Sequence, residues 1–114
     1  MKRVLMLVEG QTEESFAREV LSPYFEPFHV FLHVTLATTK RTHNAGYYKG
    51  GVVSYQKVSF QIERLLHDSD AALVTTMIDF YGLAGKGFPG WETLPGGSCY
   101  DKVRHVETAW AETV

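Results

Sequence analysis

One cysteine, four prolines and two tryptophans are all that these residue types contribute to the 114-residue chain. With Cys99 alone, no internal disulfide can form, and the composition suits a reducing, cytoplasmic compartment. Long hydrophobic runs are missing as well. The apolar stretch near the start, Val4 to Val8, is far too short to span a bilayer or to form a signal-peptide core. Neither sign of charge dominates: 11 Lys and Arg stand against 13 Asp and Glu, for a formal net charge of −2. No strong overall pull toward nucleic acid or an anionic membrane follows, although a local basic groove or a bound cation could supply one. What is present is ordinary for a folded domain, 45% hydrophobic and 21% charged, in a chain long enough for one core.

The run Arg3 to Val8 is apolar after its first residue and is bounded by Gly10, as in a strand buried on both faces of a parallel sheet. Thr12 can cap a helix, and Glu13 and Glu14 in its first turn complement the positive end of the helix dipole. Phe16, Val20, Leu21 and Tyr24 recur at helical spacing and are expected to pack on the sheet, with Pro23 and Pro27 closing the helix. From Phe28 to Leu36 the period changes to two, with Phe28, Val30, Leu32, Val34 and Leu36 on one face. Thr38 to Val53 reads as a long polar and basic loop. A second helix near 54–67 carries Tyr55, Val58, Ile62, Leu65 and Leu66 on one stripe. Another buried strand follows at 71–78. The segment from Phe80 to Cys99 holds six of the ten glycines and two of the four prolines, and it reads as a long mobile loop.

A last helix near 100–113 presents Val103, Val106 and Trp110. Strands near 3–8, 29–36 and 71–78 and helices near 12–22, 54–67 and 100–113 therefore alternate. That order predicts an α/β fold, a three-layer open sheet that is mainly parallel, in a single domain over 1–114. Only three strands are legible and the last helix is followed by none. The expectation is a fragment of a longer protein or a domain that a partner completes, the alternative being a minimal three-layer domain. An incomplete sheet predicts a homo-oligomer, with Phe31 or Trp110 of the last helix at the contact.

Ligands in open α/β sheets bind beyond the carboxyl ends of the strands. Glu9 ends the first strand and Asp79 ends the third. A carboxylate directly after an apolar run needs water, a hydrogen bond or a metal. If the strands are neighbours, Glu9 and Asp79 converge on one divalent ion, with Glu13 one turn into the helix as a third oxygen donor. Hard oxygen donors favour Mg²⁺ or Mn²⁺. The alternative is that both acids only cap the loops that follow. Lys49, Gly50 and Gly51 could approach a phosphate, with Lys40, Arg41 and His43 nearby, although no Walker pattern surrounds them. A solvated loop explains the same residues. His29 and His33, about 13 Å apart along a strand, are too distant to share a metal. Cys99 lacks a histidine at motif spacing, and Trp91 is either a latch over the site or an anchor for its loop.

Val8-Glu9-Gly10-Gln11-Thr12-Glu13 is similar to the V-E-G-x-T-E signature of Toprim domains, the metal-binding modules of topoisomerases, primases and OLD-type nucleases. Together with Lys49 to Tyr55, Thr75 to Leu83 and Phe88-Pro89-Gly90, it resembles domain-of-unknown-function family 4276, a bacterial group regarded as Toprim-like. The resemblance implies that Glu9 and Glu13 stand for the Toprim glutamates and Asp79 for the first acid of the D-x-D pair. Tyr81 replaces the second acid, so a two-metal site is not implied. Family members also continue beyond the equivalent of Val114. The implied activity is Mg²⁺-dependent cleavage or phosphoryl transfer on nucleic acid, with Glu9 and Asp79 catalytic. The alternatives are a non-catalytic binding or assembly module and a receiver-like phosphoacceptor domain with Asp79 as the acceptor. The receiver's acidic pair and its later lysine have no counterpart in this chain.

Overall fold

The computed structural model describes residues 1–37 and 54–114. Three strands, β1 (Lys2–Val8), β2 (Val30–Leu36) and β3 (Ala71–Met77), form one sheet in the order β2-β1-β3, with both pairings parallel. Each lies within two residues of its sequence-predicted span. Between β1 and β2 runs a continuous helical stretch: α1 (Gln11–Phe16), a π-helical turn (Ala17–Leu21), α2 (Ser22–Phe25) and a 3₁₀ turn (Glu26–Phe28). α3 (Tyr55–Leu66) precedes β3, and α4 (Cys99–Ala111) follows it after two 3₁₀ turns, Phe80–Leu83 and Trp91–Thr93.

β1 is central, and its alternation divides the core in two. Leu7 faces Val58 and Ile62 of α3 and Val106 of α4, together with Leu83 and Phe88. Met6 and Val8 face the opposite layer, where Ala17 and Leu21 pack with Leu32, Val34 and Leu36. Helices thus cover both faces, which makes the molecule an open three-layer α/β structure with an all-parallel sheet. β1 is buried on both sides, as its unbroken apolar run requires.

Several expectations need correction. Phe16, Val20 and Tyr24 do not pack on the sheet; they are 45%, 51% and 64% exposed. Of the expected set only Leu21 packs there, joined by Ala17. The π turn, in which the Ser22 N–H donates to the Ala17 carbonyl five residues back, widens the helix and breaks the simple 3.6-residue stripe. Pro23 does not close the helix either: it lies at the junction of the π turn with α2, and the helical stretch runs on to Phe28. Phe28 and His29 lie outside the strand. His29, with φ of 60°, adopts a left-handed conformation that ends the helical stretch.

β3 is less buried than a strand expected to be covered on both faces. It pairs with β1 alone among the described strands, and Ala72 and Leu73 are exposed. Trp110, expected at a contact between copies, turns its ring onto Phe88 and Tyr55, with centroids 5.4 and 6.2 Å apart. Phe31 is half-buried on β2.

The glycine-rich segment after β3 is pinned rather than mobile. Leu83 and Phe88 are buried, and Trp91 and Leu94 pack against the same cluster. Gly90 has φ of 82°, and a Cβ there would stand 3.0 Å from the Ala109 Cβ. Only glycine allows this close approach to α4. Ser98 and Asp101 form a capping box at the start of α4. At the opposite end of the sheet, Arg3 makes two hydrogen bonds to Asp68, of 3.1 and 3.3 Å, which tie β1 to the turn before β3.

Candidate functional site

From β1 the chain moves out on one side to β2, then crosses back to β3 on the other. Open α/β sheets bind ligands in the crevice beyond the carboxyl ends of the strands at such a reversal, which here falls between β1 and β3. Glu9 directly follows β1 and Asp79 lies two residues beyond β3. Adjacent parallel strands bring them together, as their positions in the sequence predict.

They are joined by a hydrogen bond. The Asp79 backbone N–H donates to Glu9 Oε1 at 2.7 Å, so the glutamate side chain bridges the two strand ends. Asp79 caps the turn that follows: its Oδ1 accepts from the Tyr81 N–H at 3.1 Å. Both carboxylates therefore also do the loop-capping work that was the alternative to a metal role. Each uses one oxygen for it.

Glu13 completes the acidic group. A Cβ at position 10 would lie 3.3 Å from Glu13 Oε2, so the absent side chain of Gly10 leaves room for the Glu13 carboxylate against the backbone after Glu9. The electrostatics register this crowding. Partial burial pushes the Glu9 carboxyl above its ordinary value, opposed by the Asp79 N–H, and the charges of Glu13 and Asp79 add to the upward push.

Among the described residues, no group of three or more His, Cys, Asp or Glu side chains is placed so that it could hold a metal ion. The donors nonetheless fit a hard divalent cation in kind. All are carboxylate oxygens, and Glu9 meets Asp79 across the ends of neighbouring strands. Lys49, Gly50 and Gly51, expected to approach a phosphate, lie outside the described residues, as do Lys40, Arg41 and His43.

The outcome for the remaining residues is mixed. Trp91 acts as an anchor, with its ring 5.1 Å from Phe80 and packed on the core. His33 Nε2 stands 3.5 Å from Arg3 Nε, remote from the acidic edge. Cys99 is exposed at the start of α4. Sequence reasoning treated Tyr81 only as a missing acid, whereas it is a rim residue with 76% of its surface open. Its position two residues after Asp79 was the available signal.

An all-parallel three-layer sheet with helices on both faces, and two acids at the ends of neighbouring strands, makes this an α/β protein. Over residues 8–114 the chain matches the family model described as Domain of unknown function (DUF4276), and it belongs to that family. No curated protein and no solved structure matches it. Among the described residues, no helix is long and apolar enough to cross a membrane.

Proposed function

We propose that the crevice is a Toprim-like site that handles phosphodiesters of nucleic acid with Mg²⁺ or Mn²⁺. The observation that carries this reading is the 2.7 Å bond from the Asp79 N–H to Glu9 Oε1, which holds two strand-end acids at the sheet's switch point. Glu9, Glu13 and Asp79 would hold the ion. When bound, it would polarise the phosphate and lower the pKa of a water molecule. Asp79 fixes the loop by capping it, and Glu9 would serve either as a ligand or as the general base. A second reading, metal-dependent binding without cleavage, draws support from Tyr81, a phenol where a second metal would need a carboxylate.

The test is cleavage of single- and double-stranded DNA and RNA by the full chain. Activity in Mg²⁺ or Mn²⁺ that EDTA abolishes is the expected outcome. Binding with no cleavage of any substrate favours the second reading.

The raised pKa of Glu9 has its own consequence. Between the ordinary value of 4.5 and the higher native value, the folded protein keeps a proton that the unfolded chain has lost. Stability from this group therefore falls as pH rises through that window. Glu9→Gln keeps an oxygen to accept from Asp79 and removes the charge. In metal-free buffer the variant should be at least as stable as the parent at pH 7. That advantage should vanish as pH drops below 4.5. Asp68, held low by Arg3, has the opposite sign and is common to both proteins. Urea midpoints across pH check this, and a variant less stable at pH 7 contradicts it.

Self-association belongs to the same set of proposals. Its support is the outer edge of β3, whose residues Ala71–Met77 carry no charge and include the 56% exposed Leu73. Natural edge strands are ordinarily guarded by charge or cover. Sedimentation equilibrium should report a dimer, and a monomer mass at all concentrations removes the idea.

A further inference from the structure

We propose, resting on the site reading above, that the substrate is single-stranded and that Tyr81 is its stacking platform, holding an unpaired base beside the phosphate at Glu9 and Asp79. Tyr81 follows Asp79 by two residues and has 76% of its surface open. Its exposure does not come with a loose backbone. The Tyr81 N–H is held by Asp79 Oδ1, so the residue is fixed to one of the two acids that define the site. Its ring meets Phe80 nearly edge-on, with centroids 5.5 Å apart and planes at 78°. Phe80 in turn packs on Trp91 at 5.1 Å, and both belong to the apolar cluster around Leu7. The phenol ring thus stands on a partly buried aromatic base while most of its own surface faces water.

An aromatic ring held in this way can receive a base, because every nucleobase presents an apolar face whatever its sequence. Bases inside a duplex are already stacked and hidden, so the platform selects a strand whose bases are free. The arrangement also resolves an electrostatic problem. The carboxylates repel a phosphate backbone unless a cation lies between them, whereas stacking on Tyr81 is an uncharged attraction. The two contributions are therefore separable by experiment: the cation acts on the phosphate and Tyr81 acts on the base. As a specificity-determining residue, Tyr81 needs its ring and not its hydroxyl.

The experiment measures binding of a fluorescently labelled oligothymidylate, and of an abasic backbone of the same length, by fluorescence anisotropy. The full chain, Tyr81→Ala, Tyr81→Phe and Glu9→Gln are compared in Mg²⁺ and in EDTA, with circular dichroism confirming each fold. Tyr81→Ala should weaken oligothymidylate binding about tenfold or more and leave abasic binding unchanged. Tyr81→Phe should bind like the parent. Equal affinity of Tyr81→Ala and parent for oligothymidylate overturns the platform, and so does an equal loss on both oligomers. Failure of the metal reading looks different: EDTA and Glu9→Gln then leave affinity unchanged while Tyr81→Ala still lowers it. No binding of either oligomer by the parent overturns the platform and the nucleic-acid reading together.

Discussion

Replacement of Asp79 by alanine should abolish Mg²⁺-dependent cleavage, with a loss of at least about a hundredfold, while the protein stays folded. Asp79 is exposed and its side chain makes one described bond, to the Tyr81 N–H. The structural cost is therefore the loss of a cap on a four-residue 3₁₀ turn, on the order of 1 kcal/mol. The functional cost is larger, because a single lost charge-stabilising contact at a reacting phosphate typically lowers rates by about 10²–10³. The Asp79 N–H that supports Glu9 belongs to the backbone and survives the substitution. Loss of activity in the variant therefore reports on the Asp79 carboxylate rather than on collapse of the site. Full cleavage by a folded Asp79→Ala protein would end the catalytic reading.

The second large effect concerns the core. Leu7 lies on the central strand, has no exposed surface, and meets residues of α3, α4 and the loop between β3 and α4. Leu7→Ala removes the contact shared by all of them. The expected loss is about 2–5 kcal/mol, a large share of the roughly 5–15 kcal/mol that holds a domain of this size. Phe16→Ala, by contrast, should cost under about 1 kcal/mol, because the ring is nearly half exposed. Urea unfolding of the two variants checks the assignment of faces. A larger loss from Phe16 than from Leu7 would mean that the first helix packs as its bulky residues suggest rather than through Ala17.

That contrast marks where the sequence was legible and where it was not. The unbroken apolar run of β1 could only be a strand covered on both sides, and the stripe of Tyr55, Val58, Ile62 and Leu65 named the inward face of α3 correctly. Periodicity failed on the first helix because Phe16, Val20 and Tyr24 are bulkier than Ala17 and so dominate any hydrophobic pattern. Yet the small side chain of Ala17 lets the helix approach the sheet, and a π turn shifts which residues point inward. Leu66, read with the inward stripe of α3, is likewise 49% exposed. The glycine-rich segment misled in the other direction. Its positive-φ glycines at 85, 87 and 90 turn the chain back and return Leu83 and Phe88 to the core.

The meeting of Glu9 and Asp79 was legible for a simple reason: parallel strands end on one edge, so the two had to meet if their strands were neighbours. What could not be read was the bond between them. A backbone N–H aimed at a carboxylate seventy residues away follows from the β1–β3 register, which no local pattern encodes. The role of Gly10 in making room for Glu13 was hidden for the same reason.

Binding of the cation itself tests the central claim most directly. Mg²⁺ and Mn²⁺ titrated into the full chain, followed by calorimetry and by backbone amide shifts, should give one saturable site. Its affinity should lie in the millimolar range, on the order of −4 kcal/mol. The largest shifts should fall at residues 9, 10, 13, 79 and 81, and Glu9→Gln and Asp79→Ala should each weaken binding. Shifts confined to the opposite edge of the sheet near Asp68, or none at all up to tens of millimolar cation, would contradict the assignment of Glu9, Glu13 and Asp79 as a metal site.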